Sequence, residues 1–309
     1  MRFIDRNEIS RVLTFACLIA ALDEAHRRPK IEISDTMLGL PEQCYFVRNA
    51  VDRGRYFASK LITSFPANFA GGALPAVQAV VVLFDAKDGR PLAVLDGTEI
   101  TYWRTAADSA LGAKYLARDD AGTLLVVGAG AMAPWLVRAH RGVHPSIARV
   151  LCWNRSEERA VQLARMLSAE GAAAAAVTDL EAAMHGADIV TSCTRSESPL
   201  ICGSWLRPGT HLDLVGGYDL LTREADDACV RASRVYVDRR ETAKDVADIA
   251  APLKAGILEE DGILGDLYDL AAGAAPPRRS PSEITFFKNA GGAHLDLMTA
   301  EFIFSLINQ

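Results

Sequence analysis

Thr123-Leu124-Leu125-Val126-Val127, followed by Gly128-Ala129-Gly130-Ala131-Met132-Ala133, is the stretch that decides the fold of this 309-residue chain. The first five residues read as a strand buried on both faces. The pattern GxGxxA comes directly after it, and a helix to about residue 141 comes next. In that setting Gly128 permits a tight turn, Gly130 lets the backbone approach a pyrophosphate, and Ala133 allows helix and strand to pack closely. Free N–H groups at the helix start attract phosphate. Pro134 fits the first turn, because its missing N–H would be unpaired there. The stretch therefore predicts a dinucleotide site.

Outward from it, strands near 149–153, 173–177, 188–193, 211–215 and 234–237 follow, interspersed with helices over 156–169 and 180–184. That rhythm predicts an α/β fold, a Rossmann domain over 111–287 with a parallel sheet covered on both faces. The second strand ends in Trp153-Asn154-Arg155-Ser156. An NAD site usually places a carboxylate there for the ribose 2′-OH. Arg155, the Ser156 hydroxyl and a helix start suit a 2′-phosphate instead, so NADP(H) is expected to be preferred, with NAD(H) as the other option.

Residues 1–110 and 288–309 read as a mixed α+β domain. A helix is expected over 7–27, ended by Pro29, and strands over 60–65, 77–84 and 91–95, the last two joined by the turn Asp88-Gly89. A helix over 99–118 follows, with Thr105 as N-cap and Asp108 three residues later. Residues 272–282 read as a loop, and 293–307 as a last helix with Leu297, Ala300, Phe304 and Ile307 on its apolar face. Lys60 shares a strand face with Ala58 and Ile62. An ammonium on an apolar face has a lowered proton affinity and suits proton donation; the plainer reading is an edge lysine snorkelling to water. Arg104, next to the expected N-cap Thr105, suits a substrate carboxylate. Arg48, facing away from Val47, is a weaker candidate of the same type.

Net charge is −6, so no electrostatic footprint for nucleic acid is present. The longest helical apolar stretch, 12–22, is interrupted by Thr14 and is shorter than the roughly 20 residues that span a bilayer. The N-terminus lacks a signal-peptide pattern, so a cytoplasmic protein is expected. Six cysteines without CxxC spacing point to free thiols, with no metal site.

The segments KLITSFPAN (60–68), WRTAADSAL (103–111), VVGAGAMA (126–133), WNRS (153–156), HLDLVGGYDLLTREADD (211–227) and ITFFKNAGG (284–292) together resemble the ornithine cyclodeaminase/μ-crystallin family. Within it the pattern is most similar to bacterial reductases of Δ1-pyrroline-2-carboxylate and Δ1-piperideine-2-carboxylate. The resemblance implies a homodimer whose first third and last helix form the substrate-binding and dimerisation domain. It implies that Lys60 is the active-site lysine and that Arg104 in RTAA binds the substrate carboxylate. It also implies dinucleotide contacts at Gly128, Gly130, Ala131, Met132, Asn154 and Arg155, and a nicotinamide lined by Thr194, Val215 and Gly216. Cyclodeaminases carry an aspartate directly after the VGG-like turn. Here Tyr218 stands there, with Asp219 one place later, which favours simple reduction over cyclisation, although Asp219 could substitute. Residues 28–59 follow the family pattern poorly, and Arg48 or Lys30 is left as the second cation for a carboxylate.

The expectation is thus an NAD(P)H-dependent oxidoreductase that reduces a cyclic imino acid to proline or pipecolate. Arg104, with Thr105 beside it, would hold the carboxylate, and Lys60 would protonate the imine. The alternatives are an ornithine cyclodeaminase-type lyase, an amino-acid or opine-type dehydrogenase on an acyclic imine, and a non-catalytic μ-crystallin-like binding protein.

Overall fold

The computed structural model describes residues 1–309 other than 41–42, 66, 69–73, 76, 277 and 309. The chain divides into two units, Met1–Arg104 with Gly292–Gln309, and Thr105–Gly291. The rhythm of the sequence places the divisions at 110/111 and 287/288, whereas the first division between the units lies inside the helix Gly97–Leu116, where no loop marks it. Pro66 of the KLITSFPAN segment and Pro277 of the expected 272–282 loop lie outside the described residues.

The first unit is built on a six-stranded sheet: β1 (Arg2–Ile4), β2 (Glu32–Leu40), β3 (Gln43–Asp52), β4 (Tyr56–Ser64), β5 (Val77–Asp85) and β6 (Pro91–Asp96). Its order is β1-β6-β5-β4-β3-β2. The pairing is antiparallel except for β1 with β6. Side chains alternate across a strand, so Ala50, Ala58, Lys60, Val81, Leu83 and Leu95 form a buried face. The helix Ala293–Ile307 packs against β3, β4 and β5 and against the helix Phe15–His26.

The helix expected over 7–27 is two helices, Arg6–Val12 and Phe15–His26. Leu13 is extended, and the Thr14 hydroxyl accepts from the backbone N–H of Cys17, starting a new helix. The helix Gly97–Leu116 starts earlier than expected. Its first turn is capped by Asp96, whose carboxylate accepts from the Glu99 N–H at 2.9 Å. Thr105 is therefore interior to the helix and not its N-cap, and no free helix N–H groups stand beside Arg104.

The second unit holds β7 (Thr123–Val127), β8 (Arg149–Trp153), β9 (Ala174–Ala176), β10 (Ile189–Ser192), β11 (His211–Leu214), β12 (Arg234–Val237) and β13 (Thr285–Lys288). They form a sheet of order β12-β13-β11-β10-β7-β8-β9 in which every pairing is parallel. Leu124 and Val126 belong to one buried apolar cluster, Leu125 and Val127 to another, so both faces of β7 are covered. This is the expected Rossmann architecture. The strand β13, inserted between β11 and β12, was not anticipated. The chain order reverses beside β7, between β8 and β10, and such a switch point opens a crevice at the strands' carboxyl ends.

Candidate active site

In the first unit, Lys60 lies on the helix-covered face of β4 and is 2% exposed, so it does not snorkel to water. Its Nζ donates to Oδ1 of Asp296 at 2.9 Å and to the Thr101 hydroxyl. Thr101 donates its own proton to the Gly97 carbonyl, at 2.7 Å, so it can only accept from Lys60. Two of the ammonium's three N–H bonds are thus held by described residues. Arg104, also buried, places Nε 3.4 Å from the same Asp296 Oδ1. Arg104 Nε and Asp296 Oδ2 are buried without a hydrogen-bond partner.

Arg48 is paired across the sheet with Lys60, and its guanidinium is 3.0 Å from Asp35 of β2. Lys30, the rival second cation, is exposed. Burial drives Lys60 down against the pull of Asp296, and Arg104 and Arg48 push the same way, to a pKa of about 8. Burial acts to raise Asp296, but the charges of Lys60, Arg104 and Arg48 outweigh it and hold the carboxyl below its ordinary range.

In the second unit, the loop after β7 has the geometry a dinucleotide needs. Gly128 has φ +107°, and a Cβ there would stand 3.0 Å from the Cys193 carbonyl oxygen, so only glycine fits. Nothing lies within 4 Å of where a Cβ of Gly130 would point, which leaves the backbone open to a phosphate. Ala131 and Met132 lead into the helix Ala133–Val143, with Pro134 in its first turn. Asn154 braces the loop: its Oδ1 accepts from the Ala129 N–H at 3.2 Å. Its Nδ2 donates to the Ser156 carbonyl at 3.0 Å. Arg155 is exposed at the start of the helix Glu157–Ala169. The Ser156 hydroxyl, expected to meet a 2′-phosphate, donates to Glu158 at 2.8 Å. These residues fit a nicotinamide dinucleotide.

Glu224 is the organising group at the ends of β10 and β11. It is fully buried, and its Oε1 accepts from the Ser192 hydroxyl (2.6 Å), the Thr194 N–H (2.7 Å) and the Thr194 hydroxyl (3.0 Å). Its Oε2 accepts from the Gly216 N–H at 2.6 Å and the Gly217 N–H at 3.3 Å. Thr194 therefore has its hydroxyl proton committed and can offer a ligand only an acceptor. A Cβ at Gly216 would lie 1.9 Å from the Thr194 carbonyl oxygen, so this glycine allows the close approach of the two loops. Behind Glu224, Asp248 accepts from the Glu224 N–H at 2.9 Å and from Lys288 Nζ at 3.2 Å. Burial raises the Glu224 pKa and Asp248 adds to that, while Lys288 pulls it down. Asp219 turns its Oδ1 to the N–H groups of Leu221 and Thr222 and to the Thr222 hydroxyl, which commits that oxygen to its own turn.

Sequence reasoning missed Asp296 and Glu224. Asp296 had a signal: it is the one carboxylate in the 293–300 half of an apolar helix. A carboxylate there must be paired. Glu224 had none, being one acid among several in Arg223-Glu224-Ala225-Asp226-Asp227.

A parallel sheet with a glycine loop at its switch point, and a buried lysine–arginine cluster, define a dinucleotide-dependent enzyme of small carboxylates. The model of the ornithine cyclodeaminase/mu-crystallin family matches residues 47–309, and the chain belongs to that family. It is 43% identical over 303 residues to the Delta(1)-pyrroline-2-carboxylate reductase of Paracoccus denitrificans (strain Pd 1222), covering 98% of this chain and 96% of that protein. Two solved structures are similar at TM-score 0.92. One is Thermococcus litoralis Delta(1)-pyrroline-2-carboxylate reductase in complex with NADH and L-proline, 29% identical, covering 100% of this chain and 98% of that one. The other is an archaeal alanine dehydrogenase dimer with bound NAD, 25% identical, covering 100% and 96%.

Proposed function

We propose that this protein reduces a cyclic imino acid, Δ1-pyrroline-2-carboxylate or its six-membered homologue, with a reduced nicotinamide dinucleotide, and that Lys60 and Arg104 carry the substrate chemistry. The observation that carries this reading is the buried Lys60, held beside Arg104. Arg104 binds the substrate carboxylate, with Arg48 adding positive charge from β3. Binding at that point fixes the ring, and positioning of this kind lowers a barrier by several kcal/mol. Lys60 protonates the ring nitrogen. A lysine near pKa 8 is matched to that task at neutral pH. The protonated C=N bond is the stronger electrophile at C2. When bound, the dinucleotide supplies the hydride that C2 receives. The turn 128–133, Asn154 and Arg155 hold the dinucleotide, and the ends of β10 and β11 at Thr194, Val215 and Gly216 line its nicotinamide. Arg155 gives NADPH the advantage over NADH.

The sheet face opposite Lys60 carries Val47, Phe57, Leu61, Val80, Val82 and Val94, all half-buried. We assign it to pairing with a second copy, giving a homodimer, and the similar alanine dehydrogenase is itself a dimer. No helix among the described residues is long and apolar enough to cross a membrane. A cytoplasmic role in proline or pipecolate formation follows from this reading.

An acyclic imine, formed from a keto acid and an amine, is the second reading, favoured by the likeness to the alanine dehydrogenase. Oxidation of NADPH is measured with Δ1-pyrroline-2-carboxylate, with Δ1-piperideine-2-carboxylate and with pyruvate plus ammonia. Turnover with either ring and none with the pair supports the first reading; the reverse selects the second. Ammonia release from ornithine without net NADPH oxidation would overturn both.

A further inference from the structure

We propose that Asp296 is a positioning residue for this reaction: one carboxylate oxygen, shared by the Lys60 ammonium and the Arg104 guanidinium, fixes where the proton donor stands. The proposal rests on the imine-reductase reading above. Asp296 Oδ1 lies 2.9 Å from Lys60 Nζ and 3.4 Å from Arg104 Nε. Asp296 is 1% exposed, and a carboxylate so buried is tolerated only when paired. Its place in the first turn of Ala293–Ile307 also sets it in the favourable end of the helix dipole.

The charged groups that face Asp296 are Lys60 from β4, Arg48 from β3 and Arg104 from the helix Gly97–Leu116. From β2, Asp35 pairs with Arg48. β5 contributes apolar Val81 and Leu83. On the helix of Asp296, Glu301 is taken by Arg28 and Arg55, and His294 lies edge-on to His26 of the helix Phe15–His26. On that helix Asp23 pairs with Arg27.

Removing the charge at Asp296 leaves Lys60 facing Arg104 and Arg48 with no anion of its own, and its proton is lost more easily. The test is the pH profile of kcat/KM for Δ1-pyrroline-2-carboxylate in the wild type, Asp296→Asn and Asp296→Glu, with the 15Nζ titration of Lys60 followed by NMR. In Asp296→Asn the alkaline limb moves down by about one pH unit or more, and the Lys60 titration moves with it. At pH 7 kcat falls about twofold for a limb moved by one unit and about tenfold for two, because the lost group acts through the proton donor. Asp296→Glu returns the limb toward the wild-type position. A limb and a Lys60 titration unmoved in Asp296→Asn overturn the proposal, as does a loss of kcat with no shift in either. If Asp296→Asn does not fold, Asp296→Ser, which also removes the charge, is read in its place: a limb and a Lys60 titration that move down support the proposal, and unmoved ones overturn it. A wild type that reduces no imine defeats the functional reading, while the NMR titration still decides the link between Asp296 and Lys60.

Discussion

Arg48 on β3 stands directly opposite Lys60 on β4 in the antiparallel register. Like charges at opposed positions destabilise a sheet. Here each cation has its own carboxylate, Asp35 at 3.0 Å from Arg48 and Asp296 at 2.9 Å from Lys60. The pair is therefore held as a built arrangement, Arg48 answered from β2 and Lys60 from the helix Ala293–Ile307.

Replacing Lys60 tests its role directly. Lys60→Met keeps the length of the side chain and removes the proton. Imine reduction should fall by about 10²–10⁴-fold. Equilibrium dialysis should show the dinucleotide still bound, because the loop 128–133 belongs to the other unit. Turnover close to wild type would remove Lys60 from the mechanism.

The proton affinity of Lys60 sets the pH dependence. Its folded pKa, about 8, is below the ordinary 10.5. The ammonium is present below pH 8 and is lost above it, so kcat/KM for reduction should be level near neutrality. It should fall about tenfold per pH unit above pH 8. Oxidation of proline, which needs the neutral amine as base, should rise over the same range. Between pH 8 and 10.5 the unfolded chain binds more protons at this residue, so the Lys60 contribution to stability increases with pH there. Initial rates in both directions from pH 6 to 10 check the first two statements.

How much of this was legible in the sequence depends on whether the signal was local. Residues 123–133 carry strand, turn and helix start within eleven consecutive positions, and they lie where expected. Lys60 was legible as a cation on an apolar face. Thr105 misled, because Thr-Ala-Ala-Asp imitates a helix start, while the true cap, Asp96, closes β6. Asp296 bonds to Lys60 from 236 positions away, and β13 joins its sheet between two earlier strands. A charge on an apolar face marks each partner, but nothing in the sequence says which distant charge answers it.

Glu224 should be felt through stability and through the dinucleotide together. In Glu224→Gln an amide N–H₂ replaces an oxygen that accepts from Ser192, Thr194 or the Gly216 and Gly217 N–H groups. Leaving such groups unsatisfied costs about 1–3 kcal/mol. Urea unfolding should show that loss, and the KM for NADPH should rise as the loops at Thr194 and Gly216 part. An unchanged KM in a destabilised variant would confine Glu224 to a structural role.

Arg155 should decide between the two dinucleotides. A charge-assisted bond to the 2′-phosphate adds about 1–3 kcal/mol, so Arg155→Ala should lose roughly tenfold or more in kcat/KM for NADPH. The value for NADH should stay as it is, having no phosphate to meet. Equal losses with both would show that Arg155 does not read the 2′ position.

Deuterium placement tests hydride delivery to a carbon–nitrogen double bond most directly. With Δ1-pyrroline-2-carboxylate and coenzyme deuterated on the transferred side of nicotinamide C4, proline should carry one deuterium at C2. It should appear mole for mole with coenzyme consumed. Proline without that label, or labelled coenzyme left unconsumed while ornithine gives up ammonia, would contradict the account.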